Sequence, residues 1–209
     1  MGDSREPLSK SAPLRRPKRP NKAPKRDRQD WLETARKELI AGGVERVKVE
    51  PLAKLLGVTT GSFYHHFKNR QELLDGLLQH WEMNNSAPMF AAVEAAGTDP
   101  NDQFDALMEV WISESDYDPA YDSAVRAWAH SYGAAEAYVR RVDGKRIEML
   151  KRIFLGFGYD PDRAFIRGRI TYFHQVGYQA MEVAEPRERR RELLSLYREA
   201  LVGEPPAQG

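Results

Sequence analysis

Residues 52–70, LAKLLGVTTGSFYHHFKNR, constrain the fold more than any other part of the chain. Their apolar positions fit two short helices hinged at Gly57. Leu52, Leu55 and Leu56 make the apolar edge of the first, and Phe63 and Phe67, four apart, that of the second. Gly57 can take the positive φ that a tight helix-to-helix turn requires. Thr59 is the expected N-cap, its hydroxyl reaching the amide of Ser62. With both Phe buried, the second helix (expected over 60–67) presents Thr60, Ser62, Tyr64, His65 and Lys68 outward. These groups donate hydrogen bonds and Lys68 is cationic, which suits a helix entering a DNA major groove. The competing reading is a helical hairpin inside a core. It would leave Tyr-His-His and Lys-Asn-Arg outside with nothing to do.

The run from Gly57 to Arg70 resembles the helix-turn-helix signature of the TetR family of transcriptional regulators nearly position by position. The resemblance is specific over about residues 28–81. It implies an all-α fold: a three-helix DNA-binding head followed by a helical bundle for ligand binding and dimerisation. It implies DNA contacts from Thr59, Thr60, Gly61, Ser62, Tyr64, His65, His66, Lys68 and Arg70. Thr60, Tyr64 and His65 suit base edges or thymine methyls, and Ser62, Lys68 and Arg70 suit phosphates. Gly61 lets the backbone approach closely, and family members often use the position of His66 on a phosphate. No Arg or Gln lies on the exposed part of this helix, so bidentate base reading is missing. The sequence also departs from the family. Many members have Ser or Thr where Val49 stands and a basic residue where Glu50 stands, and a carboxylate there repels the DNA backbone.

The charge is unevenly placed. The chain of 209 residues has a net charge of only +1, yet residues 1–28 hold ten Lys or Arg against three acids, net +7. The remainder holds 22 against 28, net −6. Residues 1–27, with Pro7, Pro13, Pro17, Pro20 and Pro24, read as a disordered basic arm, since such a segment buries too little surface to offset its ordering entropy. The arm either lies along phosphates or is a solvated tail. Cysteine is absent, which excludes disulfides and thiol chemistry. The mean hydropathy is −0.66, no apolar run is long enough for a membrane helix, and no apolar leader is present. A cytoplasmic protein is expected.

Along the chain, helix 1 is expected from about Arg28 to Ala41, ended by Gly42-Gly43. Pro51 suits the first position of helix 2, with Glu50 as cap. Asn69 and Glu72 read as a capping box opening helix 4, where Lys68 and Arg70 would flank a docked phosphate. Asn84-Asn85-Ser86-Ala87-Pro88 breaks or kinks that helix. Asp99-Pro100, Asp118-Pro119 and Asp160-Pro161 each pair a cap with Pro at the first helical position. They mark off helices of about 100–115, 119–132, 134–157 and 161–184, and a last helix covers 186–202. The final two have apolar arcs wider than a surface helix needs. Phe165, Tyr172, Phe173, Val176, Leu193, Tyr197 and Leu201 are the expected seam of a homodimer, with Gly168 and Gly177 permitting close approach. Pro205-Pro206 begins a frayed end. The working division is 1–27 arm, 28–75 DNA-binding head, and 76–209 effector-binding and dimerisation domain.

For an unknown small-molecule effector, the resemblance points into the body. Trp81, Phe104, Met108, Trp111 and Trp128 are the expected lining, with Arg126 or His130 anchoring a polar group. No cofactor, metal site or catalysis is expected: His65, His66, His80, His130 and His174 form no i, i+4 pair, and no phosphate loop occurs. The expected function is a homodimeric repressor on a palindromic DNA operator, released by its effector. The alternatives are a ligand-independent architectural DNA-binding protein and a partner-binding module no longer acting on DNA.

Overall fold

Side-chain caps set where half of the described α-helices begin. A computed structural model describes residues 26–181 and 183–204, so the arm through residue 25 and the tail from Pro205 lie outside the described residues. Asp27 and Asp30 exchange bonds with each other's backbone amides in a capping box, which opens α1, Arg28–Gly42. Two of the arm's last residues are therefore structured. The second helix, α2, spans Val49–Leu56 and begins two residues before Pro51; Lys48, not Glu50, is its N-cap and makes no side-chain bond. Pro51 still costs nothing there, because first-turn amides have no partner within the helix. Helix α3 is Thr60–Phe63 and α4 is Arg70–Asn85.

In the body, α5 (Ala87–Ala95) follows the break at Ser86, a helix the sequence did not mark off. Next come α6 (Pro100–Ser113), α7 (Pro119–Ala129), α8 (Gly133–Gly156), α9 (Pro161–Ala180) and α10 (Arg187–Val202). Asp99, Asp118 and Asp160 each accept a backbone N–H from the helix they cap, with Pro in first position. The described chain is all-α.

Two apolar cores hold these helices. The first contains Trp31, Leu39, Leu52, Phe63 and Phe67 of the head, and runs without interruption through Trp81 into Tyr121, Val125 and Trp128 of α7. The head is thus packed directly on α7. The second gathers Phe104, Met149, Phe154, Phe157 and Tyr172 between α6, α8 and α9. At the α8–α9 crossing, a Cβ on Gly168 would lie 3.0 Å from the Lys151 amide nitrogen. Gly168 therefore serves close packing inside the chain, not a seam with a second copy.

A ring of charge sits where α4, α7, α8 and α9 meet. Arg146, 1% exposed, donates to Ser86 Oγ (2.9 Å), Asp122 Oδ1 (3.0 Å), Tyr172 OH (3.2 Å) and the Asn85 carbonyl (3.2 Å). Arg126 donates to Asp122 Oδ2 (2.7 Å), to both oxygens of Asp143 (2.8 and 3.0 Å) and to Tyr172 OH (2.6 Å). Tyr172 donates to Asp143, and Trp81 Nε1 to Asp122 Oδ1 at 3.0 Å. Two guanidinium groups match two carboxylates, so burial leaves no charge uncompensated. Although burial disfavours its charged form, Arg146 and Arg126 hold the Asp122 carboxyl below its ordinary value.

A second tie joins α4 to α8. Glu82 accepts from Arg141 (2.9 Å), Lys145 (2.6 Å) and Tyr138 (2.7 Å). Against the opposing effect of burial, these partners pull its carboxyl from 4.5 down to about 2. A depressed folded value contributes stability that is present above 4.5 and lost as pH falls through about 2. Glu82→Gln should therefore flatten the loss of melting temperature on acidification between those two values; an unchanged acid limb would refute the role of this cluster.

Candidate nucleic-acid interface and effector site

Burial of two rings orients the candidate DNA-reading segment. Phe63 is fully buried, edge-on to Trp31 at 5.2 Å and stacked on Phe67 at 5.2 Å. Gly57 adopts φ 69° and ψ 31°, and Val58 N–H bonds the Ala53 carbonyl, which closes the turn from α2. With the inner side anchored, Thr59, Thr60, Gly61, Tyr64, His65 and Lys68 are exposed, and Ser62 and His66 are half-buried. Tyr64 is 63% exposed, resting edge-on against Phe63. A Cβ on Gly61 would touch only the Thr59 hydroxyl, so the backbone there is open to close approach.

The structure departs from the expected segment at several residues. The α-helix ends at Phe63, and residues 64–66 continue as turns closed by shorter bonds such as His66 N to Phe63 O. Phe67 N–H still reaches the Phe63 carbonyl, an α-type bond that keeps Phe67 beneath Phe63. Thr59 is the N-cap by backbone conformation, but its hydroxyl makes no capping bond; Ser62 N–H goes to its carbonyl instead. Leu55 is 59% exposed, and Ala53 takes the buried place expected for it: α2 packs through Leu52, Ala53 and Leu56, and Leu55 lies on the other flank of that arc. The outer side of α2 carries Glu50, Lys54 and Leu55.

Two of the nine expected DNA contacts are engaged within the protein. Arg70 donates Nε to the Val47 carbonyl (2.6 Å) and a terminal nitrogen to the Val44 carbonyl (2.8 Å). It braces the connection between α1 and α2 rather than standing free for a phosphate. His66 Nε2 lies 2.9 Å from the Arg26 carbonyl, which can only accept, so that nitrogen carries the proton. Arg26 in turn donates to the Leu56 carbonyl. Together these bonds fix where the arm leaves the head, beside the α2–α3 turn. The phosphate niche expected at α4 is filled from within: Asn69 accepts from Glu72 N–H, and the Glu72 carboxylate accepts from Lys68 N–H. An anion already occupies the site.

The expected effector residues do not converge on one cavity. Met108 and Trp111 do line a small one, about 40 Å³, between α6, α9 and α10. Phe104 instead packs against Phe154 and Phe157. Trp81 and Trp128 belong to the core shared with the head, Arg126 is saturated by two carboxylates, and His130 is exposed at the end of α7. Sequence reading missed Gln175, whose Nε2, like Trp111 Nε1, is buried in the cavity wall without a partner. Among the described residues, no three His, Asp or Glu side chains gather as metal ligands, and no helix is long and apolar enough to cross a membrane.

The expected dimer residues also divide. Phe165 and Phe173 are exposed on α9 beside Ile166 and Ile170, with Leu196 exposed on α10. Tyr172 and Leu201 are buried within the chain, Tyr172 as part of the charged ring, and Val176 is partly buried against the second core. Leu193 and Tyr197 are half-buried, Tyr197 against His174. The apolar arc of α9 was wide because it serves two sides, one inward and one outward.

Residues 32–77 match the family model of bacterial regulatory proteins, tetR family. No curated protein matches the chain. Several solved structures share its fold. A transcriptional regulator from Rhodococcus sp. Rha1 aligns with TM-score 0.66 and 17% identity, over 85% of this chain and 95% of that one. A regulator from Pseudomonas aeruginosa PAO1, described as putative in its own right, aligns with TM-score 0.64 and 13% identity, over 84% and 89%. A TetR-family regulator from Rhodococcus sp., similarly described, aligns with TM-score 0.61 and 17% identity, over 84% and 98%.

Proposed function

The chain carries a tetR-family domain within the fold of TetR-family transcriptional regulators, and from that premise we propose that it is a homodimeric repressor. It binds a palindromic DNA operator through residues 28–75 and is released by a small molecule bound in the body, residues 76–209. One observation carries this reading: the outward face of the α3 segment offers Thr60, Tyr64, His65 and Lys68 from a scaffold anchored by Phe63 and Phe67. Thr59, Gly61 and Ser62 complete that surface, and His66 supports it from the side. A two-fold dimer places two such faces about one helical turn of DNA apart.

The exposed strip of Phe165, Ile166, Ile170 and Phe173 supports a second copy as its cover, since an apolar strip of this kind marks an interaction surface. The unpartnered Trp111 and Gln175 donors support an effector with hydrogen-bond acceptors on an apolar frame. At about 40 Å³ the cavity holds little more than a water, so α9 or α10 must shift to admit it. Residues 1–25, leaving from the anchored Arg26, add affinity through phosphates.

Titration of the protein onto DNA at several salt concentrations tests this reading against a sequence-blind architectural protein. A repressor keeps a palindrome-specific excess at every salt; a sequence-blind protein follows one steep salt slope on all DNA. Removing residues 1–25 should flatten the slope without changing the preferred sequence. Equal affinity for all duplexes would overturn the repressor reading.

A further inference from the structure

The head and body also meet across an open cleft of about 470 Å³, within the range of about 300–1,000 Å³ usual for ligand sites. It is lined by Glu33 and Arg36 of α1, His80 and Asn85 of α4, and the turn from Glu114 to Asp118. Arg36 bonds Glu33 on its own helix and Asp118 at the start of α7, so it clasps the head to the body.

The charges in this cleft do not balance. One guanidinium serves two carboxylates, Glu33 and Asp118. Asp116, close by, accepts from the Ser115 hydroxyl and has no ion pair among the described residues. Glu114 is held by two cations, Arg187 and Arg190, so the cleft and its immediate partners carry one negative charge in surplus. The imidazole of His80 does not supply the missing cation: burial lowers its pKa, and the opposing pulls of Glu33 and Arg36 do not reverse this.

Two buried atoms in the cleft's lining residues lack partners. Asn85, with no exposure, donates through Nδ2 to the Asp118 carbonyl at 2.7 Å, while its Oδ1 accepts from nothing. His80, 8% exposed, accepts from the Gln29 amide through Nε2, which puts its proton on Nδ1, and that proton has no acceptor. The unmet acceptor on Asn85 and the surplus negative charge on the same cleft call for a donor-rich cation; the His80 N–H, a donor, takes no part in holding it. Met83, Pro88 and Tyr117 supply apolar surface for its carbon chain.

We propose that this cleft binds an organic cation with a guanidinium or ammonium head, which engages Asp116 and Asp118 in competition with Arg36 and so opens the clasp between α1 and α7. The ligand then favours a head loosened from the body, by as much as its affinity differs between the two states. Binding of the cation stands apart from the DNA-binding reading; only its consequence for DNA rests on that reading.

Agmatine, which has a guanidinium at one end and an ammonium at the other, is the probe, titrated calorimetrically into the full-length protein. It should bind. Asp116→Asn, at an exposed position, should weaken it about tenfold, the scale of one charged hydrogen bond. Arg36→Met, which removes the competitor, should tighten it, an effect that mere structural damage does not produce. The matched control is 4-guanidinobutanoate, whose carboxylate cancels the charge, and it should bind more weakly. No binding at millimolar agmatine, equal binding of the two compounds, or an unchanged affinity in Asp116→Asn overturns the site. On DNA, agmatine should lower the affinity of the natural chain but not of Asp116→Asn, whereas a general salt effect would act on both. If the protein binds DNA and agmatine with no mutual effect, the clasp mechanism is wrong though the site is real. If it binds no DNA, the repressor reading fails and the calorimetry still decides the cation site.

Discussion

Arg146→Met should cost the fold about 3 kcal/mol, the lower end of the range for removing one partner of a buried ion pair. The lower end applies because Asp122 keeps Arg126 on Oδ2 and Trp81 on Oδ1. What is lost is the cation on Asp122 Oδ1, together with donors to Ser86, Tyr172 and the Asn85 carbonyl. Stranded carboxylate and carbonyl groups in a dry site cost more than the missing bonds themselves contributed. The midpoint of urea unfolding reads the effect, and Asp122→Asn in the same chain should recover part of it by removing the orphaned charge. If the single change costs under about 1 kcal/mol, the ring is not a structural joint.

Tyr64→Ala should leave the fold nearly as stable as before, since the side chain is mostly in water. On the proposed function, its effect should fall on operator binding. A base-reading contact is worth about 1–3 kcal/mol, and a dimer loses it at both half-sites, so affinity should drop by about 2–6 kcal/mol, at least thirtyfold. Tyr64→Phe separates the hydroxyl from the ring. Lys68→Ala should weaken all sequences alike and reduce the salt slope by about two per dimer. Fluorescence anisotropy on the operator reads each of these. A Tyr64→Ala protein binding within about twofold of the original would remove the α3 segment from the recognition surface.

Local chemistry made much of the fold legible. Each Asp-Pro step opened a helix because the cap and the proline act within one turn. Gly57, Phe63 and Phe67 defined the hairpin for the same reason. What stayed hidden depends on partners far along the chain. Arg126 read as a free anchor, since nothing near it reveals that Asp143 and Tyr172 converge on it. Its i, i+4 pairing with Asp122 was readable and pointed to the same conclusion. Arg70 read as a phosphate contact because a backbone carbonyl leaves no trace in composition. Leu55 reads as inward because it and Ala53 flank the Leu52–Leu56 stripe on opposite sides, and only packing decides which flank is buried.

The ring of Arg126, Arg146, Asp122 and Asp143 also affects how the protein behaves in solution. Its charges cancel and its members lie largely out of water. Ions in the buffer, which screen exposed charges over about a nanometre, barely reach it. The joint between the four helices should therefore hold its strength across the range of ionic strengths that strips a protein from DNA. On the proposed function, potassium chloride should dissociate the DNA complex without unfolding the protein, with dissociation and denaturation at well-separated points on the same salt axis.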